Sequence, residues 1–104
     1  MKQFMEEVKK GVVLVDFWAS WCGPCLTQGN ILDKAEKGGY KFNLLKVNVD
    51  ERTEVASTFG IRSIPTLMIF SDGKLCETFT GVQSWETLTM AMHKCTPIVP
   101  ENTE

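Results

Sequence analysis

The chain has 104 residues, a formal net charge of −2, 43% hydrophobic and 23% charged residues, and four cysteines. That is one domain's length, enough to bury a core without a disulfide framework, and the mixed composition excludes a disordered chain. With no basic cluster, nothing points to nucleic acid or an anionic membrane surface. No apolar run reaches transmembrane length. The opening MKQFMEEVKKG scatters charges among its apolar positions and lacks a signal-peptide core, so a cytoplasmic chain is expected. Structural disulfides are rare in that compartment, and a close cysteine pair there points to catalysis or metal binding.

Residues 1–10 read as a helix with Phe4 and Val8 on one face, stopped by Gly11. Val12 to Trp18 is a β-branched and aromatic run without alternation, the pattern of a strand buried on both faces. Asp16 is the one charge inside it. From Gly23 to about Glu36 the period turns helical, with Leu26, Ile31, Leu32 and Ala35 as inward positions and Gly38-Gly39 as the stop. Phe42 to Val49 is a second strand. Asp50 is expected to cap a helix reaching Phe59, ended by Gly60. Thr66–Phe70 and Leu75–Thr80 are strands joined at Asp72-Gly73, a strong hairpin signal. Ser84 caps a last helix to about Lys94, where Trp85, Met90 and Met92 are expected to pack. One domain therefore covers 1–95, and 96–104, with two prolines, reads as a loose tail. The first two strands alternate with helices and should run parallel, so the fold class is α/β: a mixed four-stranded sheet flanked by helices on both faces.

The stretch WCGPC places Cys22 and Cys25 three apart at the head of a helix. Unpaired amides and the dipole at a helix start stabilise a thiolate, which makes Cys22 the attacking sulfur. Cys25, one turn on, is positioned to resolve a mixed disulfide. Pro24 suits a helix's first turn, and Gly23 and Pro24 together shape the dithiol. Zinc is a rival reading, but Cys76, His93 and Cys95 are scattered and no fourth-ligand pattern forms, so no metal is expected. An inert pair of buried thiols is the bland alternative. Cys76 and Cys95 read mainly as small, separate thiols, with a regulatory disulfide between them as the minor alternative. Asp16, a carboxylate in a buried strand, should have a raised pKa and act as general base toward Cys25. Lys46 on the neighbouring strand is its charge partner. A register pointing Asp16 at solvent is the alternative.

VDFWASWCGPC, KVNVDE, FGIRSIPTLMIF, and DGK followed by TGV resemble the thioredoxins in order and spacing over roughly residues 4–94. The resemblance implies a thioredoxin fold with sheet order 2-1-3-4 and dithiol–disulfide exchange on protein substrates that contain disulfides. It also implies re-reduction by a thioredoxin reductase and no bound cofactor beyond the redox-active Cys22–Cys25 pair. It further implies a cis Ile64-Pro65 bond against the cysteines, with Trp21, Ile64, Gly81 and Val82 as an apolar rim for extended substrate. Three departures stand out. The usual first edge strand is missing, so strand 42–49 is exposed; a monomer with weak edge-to-edge dimerisation is expected. Leu26 stands where a basic residue is usual, which leaves the Cys22 pKa at the upper end of the family's range. Asn30, beside Gly29, stands where a helix-kinking proline is common. A disulfide oxidase or isomerase on the same fold, and a non-catalytic docking module, are the rival functions.

Overall fold

Val12–Trp18 forms the central strand, and its unbroken apolar run follows from having a helical layer on each side. A computed structural model of the chain describes residues 1–97. The helices are α1 (Lys2–Glu7), α2 (Gly23–Lys37), α3 (Thr53–Thr58) and α4 (Trp85–Cys95). The strands are β1 (Val12–Trp18), β2 (Asn43–Asn48), β3 (Thr66–Ser71) and β4 (Lys74–Thr80), in the sheet order β2-β1-β3-β4. β1 and β2 run parallel, and β3 is antiparallel to both β1 and β4. This is the expected topology, and β2 forms one edge of the sheet.

The strand period of two divides the core. Val13, Val15 and Phe17 of β1 pack with Phe4 and Val8 of the α1 segment, Val55 of α3, and Met68 and Phe70 of β3. Leu14 faces the other way, toward Leu32 of α2, Leu88 of α4, and Leu67 and Ile69. A six-residue helix such as α1 has little stability of its own. It is fastened by Phe4, whose ring lies 5.3 Å from Phe59 and 5.4 Å from Phe70. The β3–β4 turn matches its sequence signal, with φ of 49° at Asp72 and 85° at Gly73. Asp72 also accepts the Gly11 amide (2.8 Å) through its carboxylate, and its own amide donates to the Gly11 carbonyl (2.9 Å). The hairpin turn thereby ties down the loop between α1 and β1.

Several local expectations fail, most of them for a tertiary reason. Asp50 caps nothing: α3 starts at Thr53 behind Arg52, with no side-chain cap, and Asp50 is engaged elsewhere. Leu26 is 60% exposed. The buried stripe of α2 is Cys25, Gln28, Leu32 and Ala35, set by the cysteine that must face the sheet. Met90 is 61% exposed, so packing does not explain it, while Trp85 and Met92 border the second core as expected. Ser84 does cap α4, accepting the Thr87 amide at 3.1 Å. Cys76 and Cys95 are not separate thiols; they are disulfide-bonded, with Cα atoms 6.1 Å apart. α2 runs through Gly29 and Asn30 as one helix. Most of the expected loose tail, residues 98–104, lies outside the described residues.

Phe4→Ala should destabilise the fold by about 3–5 kcal/mol through the cavity left between α1, α3 and β3, whereas Leu26→Ala should stay within about 0.5 kcal/mol. Urea unfolding of the two variants measures both; equal losses would mean that α1 is not held by Phe4.

Candidate functional site

β1 ends at Trp18, and four residues later Cys22 begins α2 as its N-cap with extended backbone (φ −97°, ψ 112°). This places the sulfur where a capping oxygen usually sits, and the Cys25 amide donates to Cys22 Sγ at 3.2 Å. Gly23 and Pro24 fill the first helical positions, and no acidic side chain occupies the first turn to oppose a thiolate. Both cysteines are buried and joined as a disulfide, with Cα atoms 5.2 Å apart. They form a small cluster with Ala19, bordered by Trp18, Val49 and Ile64.

The loop before β3 completes the wall. The Ile64-Pro65 peptide is cis, as expected, and the Ile64 carbonyl oxygen lies 3.7 Å from Cys22 Sγ. The Pro65 carbonyl accepts the Gly81 amide at 2.8 Å, which brings the loop after β4 to the same place. Gly81 has φ of 90°, a left-handed conformation that suits glycine. Val82 is exposed beside it, and Trp21 is 70% exposed. Trp21 is nonetheless fixed: its indole N–H donates to Asp50 at 2.8 Å. That bond is what Asp50 does in place of capping α3.

Gln28 is the residue the sequence analysis missed. It is fully buried, its amide nitrogen donates to the Gln83 carbonyl (3.1 Å), and its amide oxygen accepts from the Gln83 N–H (2.7 Å). This two-way clasp holds the 81–83 loop against the helix that carries the cysteines. The signal was available in the helical period, since 25, 28, 32 and 35 lie on one face; selecting apolar residues alone passed over it.

Asp16 is fully buried, and neither carboxylate oxygen has a hydrogen-bond partner among the described residues. Its strand parity matches Leu14, so it faces the α2 side of the sheet. Burial raises its pKa from 3.8 to about 6, and the positive charge of Lys46 pulls in the opposite direction. Lys46 is the register partner of Asp16 across the parallel ladder. It acts on Asp16 through space, since its ammonium sits over the Trp18 ring at 4.8 Å. There it passes 3.8 Å from where a Cβ on Gly29 would stand. Among the described residues no group of three or more His, Cys, Asp or Glu side chains is arranged to hold a metal ion. No helix there is long and apolar enough to cross a membrane.

Comparison with known proteins agrees with this geometry. The family model described as Thioredoxin matches residues 1–94. A thioredoxin of Bacillus subtilis (strain 168) is 40% identical over 94 residues, covering 89% of this chain and 90% of that protein. Thioredoxin 1 of Synechococcus elongatus is 48% identical over 83 residues, covering 79% of this chain and 78% of that protein. Among solved structures, a mutant thioredoxin from Halobacterium salinarum NRC-1 superimposes with a TM-score of 0.82 at 32% identity, covering 96% of this chain and 88% of that one.

An acid whose pKa is higher folded than unfolded binds more protons when folded, so its contribution to stability is lost as pH rises through the interval. For Asp16 that interval runs from 3.8 to about 6, and the shift corresponds to a cost of about 3 kcal/mol at pH 7. Asp16→Asn should therefore be more stable than the parent by about 2–3 kcal/mol at pH 7, with the difference shrinking toward zero below about pH 4. Denaturant melts at the two pH values check this; a pH-independent difference would show that the carboxyl is not desolvated.

Proposed function

The chain belongs to the thioredoxin family of protein disulfide oxidoreductases, and from that premise we propose how its residues divide the work of reducing protein disulfides. Cys22 as a thiolate attacks one sulfur of a substrate disulfide, forming a mixed disulfide and expelling the other sulfur. Cys25 then attacks Cys22 Sγ, releasing the reduced substrate and leaving Cys22–Cys25 oxidised. The single observation that best supports Cys22 as nucleophile is the Cys25 amide directed at its sulfur from the first turn of α2.

Asp16 takes the proton from Cys25 during resolution. With its pKa at about 6 it is mostly ionised at neutral pH, yet close enough to that range to accept and return a proton. Lys46 limits the rise and keeps the acid in that window. Pro65 and the Ile64 backbone present an edge for an extended substrate segment, and Trp21, Ile64, Gly81 and Val82 supply the apolar rim. The Gly23-Pro24 pair holds the dithiol at the helix start. A flavoprotein thioredoxin reductase restores the dithiol, so the chain needs no cofactor of its own. We place this work in the cytoplasm, in a monomer whose uncovered β2 edge supports only weak self-association.

Reduced Cys25→Ser should lose turnover and accumulate substrates as mixed disulfides on Cys22, read by mass spectrometry. Recovery of the trapped species on any other cysteine would assign the nucleophile wrongly. For Asp16, the wild-type rate of resolution should fall as pH drops through about 6. Asp16→Asn should slow resolution by up to about 10²-fold and lose that inflection; an unchanged profile removes the general-base role.

A further inference from the structure

The bonded pair Cys76–Cys95 lies outside the site described above. β4 pairs Glu77 with Ile69 and Leu75 with Phe70, so Cys76 is an extra residue with no partner across the ladder. It forms a β-bulge, a device that re-aims side chains. Without it, strict alternation would put Cys76 on the face of Thr78, which lies opposite Met68 and the α1/α3 core. Cys95, however, is the last residue of α4, on the other face. The bulge brings the Cys76 sulfur round to meet it. The pair is therefore a built feature of the backbone and not two thiols that happen to be neighbours.

The bond is approachable at Cys76, while Cys95 is buried at its inner end. Cys76 is exposed on the outer strand of the sheet, and a cavity of about 350 Å³ bordered by both cysteines, Phe79, Met90 and Lys94 opens beside it. Structural disulfides are rare in a reducing cytoplasm, where those that form are usually transient. The redox centre of the same chain does not reach it. Cys76 lies four residues before Thr80, roughly 13 Å along the strand from the end that borders Pro65.

We propose that Cys76–Cys95 is a second, exchangeable disulfide, and that its reductant is the Cys22–Cys25 dithiol of another copy of this chain. The step, which rests on the reductase activity proposed above, is balanced. The Cys22 thiolate of the second copy bonds to Cys76 Sγ, and the Cys76–Cys95 bond breaks with its electron pair going to Cys95, which takes up a proton. Cys25 of the second copy loses its proton and attacks Cys22, and Cys76 leaves and is protonated. Two electrons pass, leaving one copy with free thiols at 76 and 95 and the other with Cys22–Cys25 oxidised. The tie between the edge strand and the end of α4 is released whenever reduced protein is plentiful, so the chain reads its own redox state.

The test uses two full-length variants. An oxidised Cys22→Ser, Cys25→Ser protein is the acceptor, and a pre-reduced Cys76→Ser, Cys95→Ser protein, freed of small thiols, is the donor. Differential alkylation and mass spectrometry should show Cys76 and Cys95 becoming labelled as the donor's Cys22 and Cys25 become protected, and doubling the donor should double the rate. A donor that reduces an aromatic disulfide dye at full rate but leaves Cys76 and Cys95 unlabelled overturns the proposal while sparing the reductase activity. A donor that reduces neither overturns both. Free thiols at 76 and 95 in the oxidised acceptor would also overturn it, because no bond would be there to exchange.

Discussion

The donation from the Cys25 amide to Cys22 Sγ is the interaction on which the rest of the molecule turns. It exists because β1 stops at Trp18 and the chain enters α2 within a few residues, so that the first free amides of the helix face a sulfur. Everything else holds that junction in place. The central strand is clamped by two cores, the 81–83 loop is clasped to α2 by Gln28, and the Ile64-Pro65 segment closes the remaining side. Removing charge from water near a helix start makes the local amides count for more, and the burial of both cysteines supplies that condition.

Asp16 shows the cost of this arrangement. A carboxyl with no hydrogen-bond partner among the described residues, in a closed core, opposes folding at neutral pH, and a sequence selected for stability alone would not retain it. Lys46 offsets part of that cost from a distance, because its ammonium rests on Trp18 rather than on the carboxylate. The acid is thus held less firmly in its ionised form than a direct ion pair would hold it.

The sequence was most informative where the physics is local or periodic. The apolar run 12–18 gave the central strand with its observed bounds, Asp72-Gly73 gave the hairpin, and the alternation of strands and helices gave the parallel pairing of β1 with β2, while the full sheet order followed from the family resemblance. The cysteine spacing, read with the helix start, located the redox pair. What stayed hidden depends on partners far away in sequence. Asp50 looked like a cap because its nearest helix is downstream, yet its partner Trp21 lies 29 residues upstream. Gln28 looked like surface because it is polar, although a backbone segment 55 residues away satisfies it completely. Cys76 and Cys95 meet only because of a bulge, which shifts parity by one residue and leaves no mark in the apolar pattern.

The most direct measurement is the rate at which iodoacetamide alkylates Cys22 in the fully reduced protein as a function of pH, with the other cysteines replaced by serine. If the amides of α2 hold a thiolate, the rate at pH 7 exceeds that of an ordinary cysteine, and the profile turns over clearly below the usual thiol value of about 8.5. A profile that coincides with that of an unstructured cysteine peptide would contradict the account.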